Sequence, residues 1–174
     1  LERVANAIGA TSGVILGIDD ISEEVYVLNS HGTVPTAPST NHNGNGDEQP
    51  RRKLQQDKGL AGWVLENRQS VVIPDVQKDD RWLVRDERDE NQRSAIAALL
   101  EVGTDRRGVV MLFSDKPNAF NGDHLKLVSA ASSQLANSMN NAELYSLIRD
   151  QAERLGAILR EVQVESTKNT AILE

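Results

Sequence analysis

The 174-residue sequence contains no cysteine. That absence excludes disulfides, thiol catalysis, thiolate metal sites and pigments attached through a thioether. Aromatic residues make up 3% of the chain, two each of Trp, Tyr and Phe, so the core must be built from Val, Ile, Leu and Ala. Basic residues are in deficit, 19 Lys and Arg against 26 Asp and Glu, for a formal net charge of −7. Nucleic acid is a poor partner for such a chain, because that affinity comes largely from basic side chains neutralising phosphates. An anionic membrane surface is disfavoured for the same reason. No apolar run approaches the roughly 18–20 residues needed to span a bilayer, and no signal-peptide pattern opens the chain. The reading is a soluble, cytoplasmic protein. Also missing are a Gly-x-Ser-x-Gly elbow, a phosphate-cradling loop and zinc-ligand spacing. With three scattered His and no Cys, a nucleophile has no evident base, and an enzyme is not expected.

The length has room for one domain with a true core, plus an appendage. Leu1, Val4, Ala5 and Ile8 share one helical face, which predicts the end of an amphipathic helix over residues 1–11. Gly13–Ile18 and Val25–Leu28 are apolar runs of strand length separated by a polar turn, which together predict a hairpin. Residues 29–50 differ in kind, with three Pro and three Gly among Ser, Thr, Asn and His. That stretch cannot bury enough apolar surface to offset backbone ordering, about 1–2 kcal/mol per residue, and predicts a long mobile loop. A short strand near 51–55 follows. Asp57 then stands where it can cap a short helix whose face carries Leu60, Trp63 and Val64. Strands are predicted over Ser70–Ile73, Ser94–Leu100 and Gly108–Phe113, with turns at Pro74 and over Gly103–Arg107. The charged stretch Asp79–Glu90 reads as an exposed turn or short helix.

From Asn121 the pattern becomes one long helix, with Asn121 as N-cap and Asp123 in the first turn. Residues 123–172 would make a rod about 75 Å long. Its apolar seam moves along its length. Leu125, Val128, Ser132, Leu135, Met139 and Ala142 follow one 3–4 spacing, while Ile148, Gln151, Leu155, Ile158 and Val162 follow another displaced by two residues. Two residues are about 200° of helical rotation, so the stripes lie on nearly opposite faces. The first stripe is expected to pack on the sheet and the second on the same helix of a second copy, weakening at the polar Glu165 and Asn169.

The stretches Gly59-Leu-Ala-Gly-Trp-Val64, Val71-Val-Ile-Pro-Asp-Val76 and Asp79-Asp-Arg-Trp82 stand in the same order as the central signature of GAF domains. Ser94-Ala-Ile-Ala-Ala-Leu-Leu100 and Gly108-Val-Val-Met-Leu-Phe113 are similar to that family's last two strands, and Ala119-Phe120 to its final helix entry. The resemblance covers roughly residues 1–145. It implies an α+β fold with a central antiparallel sheet of about five to six strands, helices on one face and a ligand pocket on the other. It also implies a sensor domain over 1–145, and the displaced apolar stripe beyond it predicts a signalling helix, a coiled coil, over 146–174. Both ends of the sequence fall inside helical patterns, so we expect a fragment whose output domain lies elsewhere in a longer signalling protein.

The pocket of this family holds cyclic nucleotides, bilins or haem in different members. Covalent bilin attachment and the chemistry of sulfoxide-reducing members both need cysteine, which is absent. Members that bind cyclic nucleotides carry an Asn-Lys…Phe…Asp-Glu pattern, matched here only in part by Asp115-Lys116, Phe120 and Asp123-His124. Haem would need an axial ligand, and His31, His42 and His124 read as solvated. The cofactor is left unknown. Asp79, Arg81, Trp82 and Ser94 are the candidate pocket residues: Arg offers a fork to an anionic group and Trp a stacking face. The alternative is that Trp82 plugs the core edge, Asp79 caps a turn and Arg81 is solvated. Trp63 reads as core and Asp75 as a turn former. The carboxylate run Asp86–Glu90 reads as a solvated surface, and Asn43–Glu48 lacks the ligand spacing of a calcium loop. The expected partners are a small molecule and a second copy, joined through Ile148, Leu155, Ile158 and Val162. A ligand-free dimerisation and spacer module is the alternative function.

Overall fold

The computed structural model describes residues 1–19, 24–32, 52–53, 59–83, 90–103 and 106–171, with the backbone alone at 19, 24, 52–53, 106 and 161–171. Helix α1 (Glu2–Ile8) buries Ala5 and Ile8 and ends at Gly9, whose φ of 71° supplies the left-handed cap. Strands β1 (Ser12–Asp19) and β2 (Glu24–His31) form the expected hairpin, followed by the two-residue strand β3 (Arg52–Lys53). Helix α2 (Gly59–Asn67) leads into β4 (Val71–Ile73) and a one-turn 3-10 helix, Val76–Lys78. Strands β5 (Ser94–Val102) and β6 (Arg106–Ser114) then precede α3, a single 50-residue helix over Gly122–Ala171. All strand pairs are antiparallel, in the order β3-β2-β1-β6-β5-β4.

Three expectations shift. Residues 29–31, assigned to the mobile loop by composition, belong to β2, because pairing with β1 (Gly13 opposite His31, Ile15 opposite Asn29) fixes their backbone groups. The rest of that loop, 33–50, lies outside the described residues, as do Asp57 and the run 84–89. The turn expected over Gly103–Arg107 is shorter, since β6 already begins at Arg106, opposite Val102. The charged turn from Asp79 is not solvated at its start: Asp79, Arg81 and Trp82 are half-buried.

Both faces of the sheet are apolar. On one, Val14, Leu16, Ile18, Ile73, Ala95, Ala97, Val109, Met111 and Phe113 form a continuous cluster with Leu60, Val64 and Leu65 of α2. Full burial of each such aliphatic side chain stabilises by about 1.5–3 kcal/mol. The alternate residues Ile15, Ile96, Ala98, Leu100, Val110 and Leu112 point the other way and are buried as well. Ala5 and Ile8 of α1, with Val128, Ser132 and Ala136 of α3, are the buried helical residues available to that second face. Ser132 tolerates burial because its hydroxyl donates to the Val128 carbonyl at 2.9 Å. Asn121 caps α3 as expected, its Oδ1 accepting from the amides of Asp123 and His124 at 3.0 Å each.

Residues 1–137 form one compact unit and 138–174 a second. Within the second, Leu144, Leu147, Ile148, Leu155, Ile158 and Leu159 are exposed. Among the described residues no helix is long and apolar enough to cross a membrane.

Gly17 and Gly108 face each other across β1 and β6. A Cβ at Gly108 would stand 2.3 Å from the Leu16 carbonyl oxygen and 3.2 Å from Leu100 Cδ2. The first is backbone and cannot swing aside. Gly108→Ala is therefore expected to destabilise the fold by about 1–3 kcal/mol, as overpacking of a close core does, read as a lowered midpoint in urea unfolding.

Candidate functional site

The turn after the 3-10 helix brings its charged and aromatic residues together against α2. Asp79 Oδ1 accepts from the Arg81 amide at 3.0 Å and from Arg81 Nε at 2.8 Å, while Oδ2 accepts from Arg81 Nη2 at 2.7 Å. The guanidinium lies 4.3 Å from the ring centroid of Trp63 on α2, a cation–π contact. The hydrogen bond from Arg81 holds the Asp79 carboxyl below its ordinary 3.8, against the opposing pull of desolvation. Trp82 packs its ring edge-on to Phe113, with centroids 5.7 Å apart. Its indole Nε1 is buried and has no hydrogen-bond partner among the described residues.

One further orphan shares this corner. Ser12 pairs with Phe113 across β1 and β6, so the two side chains rise from the same sheet face, the one covered by α2. Its Oγ is buried and unpartnered among the described residues. Ser12 and Trp82 thus place two polar groups beside one phenyl ring. Sequence reasoning passed over Ser12; its signal was a hydroxyl at the head of the alternating run Ser12, Val14, Leu16, Ile18.

At the neighbouring sheet corner an open cleft of about 460 Å³ is lined by Ile73, Pro74, Asp75, Lys78, Asp79 and Arg93, with Pro117 and Asn118 closing one side. Asp75 is the expected turn former, accepting from the Gln77 amide at 3.3 Å, and it also pairs with Arg93 at 3.1 Å and Lys78 at 3.5 Å. The Arg93 hydrogen bond is the main reason its carboxyl sits below the usual value. Nothing in the sequence announces this pairing, because the two residues are 18 positions apart and meet only when β4 and β5 align.

The structure brings Asp79, Arg81 and Trp82 together and leaves Ser94 apart. Ser94 shares the face of Ile96 and Ala98, opposite to that of Trp82, because side chains alternate along β5. It is fully buried, and its hydroxyl donates to the Lys116 carbonyl at 2.7 Å. Lys116, Phe120 and Asp123, which supplied the partial cyclic-nucleotide pattern, have local roles: Phe120 is core, and Asp123 pairs with Lys126 at 3.0 Å. The histidines are less solvated than expected. His31 lies in β2, and His124, beside Phe120 at 6.3 Å, has a buried Nδ1. His42 lies outside the described residues.

The sequence profile of the GAF domain matches residues 1–140. The chain belongs to the GAF domain family. Solved structures share its fold at low identity. A GAF domain from a phosphoenolpyruvate-protein phosphotransferase of Coxiella burnetii is 15% identical, with 84% of this chain and 81% of that one covered, at a TM-score of 0.64. The GAF-B domain of DevS from Mycobacterium smegmatis is also 15% identical, covering 84% and 92%, with a TM-score of 0.57. A free methionine-R-sulfoxide reductase from Neisseria meningitidis, solved with its substrate, is 15% identical over 83% and 75%, with a TM-score of 0.63. A search of curated proteins finds no match. At this identity the likenesses speak for the fold. GAF domains are in the main regulatory, while the same fold also serves that reductase.

The depressed Asp79 carboxyl gives this GAF domain a pH signature. A folded-state value below 3.8 adds stability that is present above 3.8 and lost as pH falls through the folded value. In urea unfolding between about pH 5 and about pH 2, the stability gap between the parent and Asp79→Asn should therefore narrow with acid. A gap constant with pH would mean that the fork to Arg81 does not hold in solution.

Proposed function

We propose that this GAF domain is a non-catalytic regulatory module that senses a small molecule and passes the event on through paired α3 helices. The observation that carries the reading is the row of exposed Leu144, Ile148, Leu155 and Ile158 on α3. A helix that leaves an apolar row in water is unfavourable as a monomer and favourable as half of a pair. The similar structures include GAF domains of a phosphotransferase and of DevS, which supports a module working for a larger protein. On the ligand side, the support is the pair of buried polar groups beside Phe113. Trp82 Nε1 is a donor only, so an acceptor oxygen or nitrogen on a ligand would satisfy it. A ligand there changes output only through different affinities for two states of the domain, and the turn at 79–83 is the element it would bias.

A second reading, a spacer that dimerises without a ligand, is favoured by a specific observation. Arg81, the residue best suited to hold an anionic ligand, already has its fork closed on Asp79. Thermal-shift screening with nucleotides, tetrapyrroles and small acids separates the two. A saturating upward shift supports the sensor, and flat melting across the panel leaves the spacer. For the relay, Leu155→Glu and Ile158→Glu are expected to reduce the sedimenting mass from dimer to monomer while leaving the domain folded. An unchanged mass would reject the paired helix.

A further inference from the structure

We infer that the two copies of α3 pair in parallel and in register, with the two Gln151 side chains meeting in the middle of the seam; this rests on the pairing proposed above and gives it a direction. Leu144, Ile148, Gln151, Leu155 and Ile158 are alternately four and three residues apart, the spacing of a two-helix seam, and Val162 continues it in the sequence. The four apolar members are 48–63% exposed, so the seam is uncovered in one copy. Gln151 is its single polar member over this span. Covering the seam therefore buries a primary amide, which is unfavourable unless the amide finds a partner.

Direction decides whether it does. In a parallel, in-register pair each layer holds the same residue from both copies. Gln151 then faces Gln151, and each amide has both a donor and an acceptor to offer the other. An antiparallel pair couples the series Ile148, Leu155, Val162 with the series Leu144, Gln151, Ile158. In the antiparallel registers that overlap the apolar span, Gln151 then faces one of Ile148, Leu155 or Val162, none of which can hydrogen-bond to it; sliding it opposite Asn141 or Asn169 gives it an amide partner only by giving up most of the apolar overlap. In the register of greatest overlap, with Ile148 opposite Ile158, the Arg154 residues of both copies also flank the same central layers, which sets like charges together.

The flanking positions agree. In the parallel pair Leu147 of one helix lies beside Ala152 of the other, and Arg154 beside Leu159, so the exposed Leu147 and Leu159 are covered and the methylene stem of Arg154 lies along an apolar neighbour. The Arg149–Glu153 ion pair, 3.1 Å within one helix, stays on the outside of the pair. The partner this surface fits is a second copy of this chain.

The absence of cysteine makes the test clean, since each introduced thiol is alone in its chain. Leu144→Cys and Ile158→Cys are made separately in the full chain, oxidised, and read on a non-reducing gel beside the sedimenting mass of the unoxidised protein. The two positions are about 21 Å apart along the helix, and a disulfide spans only about 4.4–6.8 Å between Cα atoms. An antiparallel pair can therefore bring at most one of them beside its own copy. The expected result is a dimeric mass with both variants doubling in apparent mass on the gel, while Glu153→Cys on the outer face does not. A dimer in which only one of the two seam variants cross-links, or neither, overturns the parallel arrangement and leaves the pairing standing. A monomeric mass overturns the pairing itself, and the direction with it.

Discussion

Apolar side chains on both faces of the antiparallel sheet are the constraint from which the other features follow. Such sheets commonly leave one face to water and show alternating polarity, but β5 reads Ala95-Ile-Ala-Ala-Leu-Leu100 without a break. Two layers of cover are then obligatory. Helix α2 provides one, with Leu60, Val64 and Leu65 joining Val14, Ile73, Ala97 and Met111 in a single cluster. The other falls to α1 and the first turns of α3, whose buried residues Ile8, Val128 and Ala136 are available to it. The composition fits this division: with few aromatics, the interior is filled by aliphatic residues at close spacing, and glycines remain at Gly17 and Gly108 where two strands and a tyrosine ring approach too closely for a Cβ.

The candidate site follows from that packing. Phe113 is the one phenylalanine in the α2-covered cluster, and both Trp82 and Ser12 are positioned by it, one through ring contact and the other through strand register. The turn carrying Trp82 is held by local bonds, with Asp79 gripping Arg81 and Arg81 lying on Trp63. The leucine after it reaches the head of α2, where Leu83 stands 3.3 Å from the Cβ position of Gly59. A perturbation entering beside Phe113 thus has a short physical route into α2.

Much of this was legible from the chain itself. Alternation and run length located the long strands to within a few residues, and the Asn121 cap with its first-turn acid marked the start of α3. The order of the Gly59–Val64, Val71–Val76 and Asp79–Trp82 stretches was enough for the family. What escaped reading depends on long-range pairing. Residues 29–31 have loop composition and strand geometry because β1 pairs with them. Arg93 finds Asp75 across two strands. Ser94 stands apart from Asp79, Arg81 and Trp82 because a single-residue step along β5 moves a side chain to the far side of the sheet, which local sequence does not display. The charged run from Asp79 is read as solvated because local composition cannot show that two of its members close on each other.

One consequence lies in the distribution of the two tryptophans. Trp63 lies beneath a guanidinium and Trp82 against the Phe113 ring, and both belong to the same small region between α2 and the 79–83 turn. The chain has no other indole. Its indole emission, excited at wavelengths that Tyr26 and Tyr145 do not absorb, therefore originates wholly in the region proposed to receive a ligand. The molecule carries a built-in optical reporter there, with no label needed.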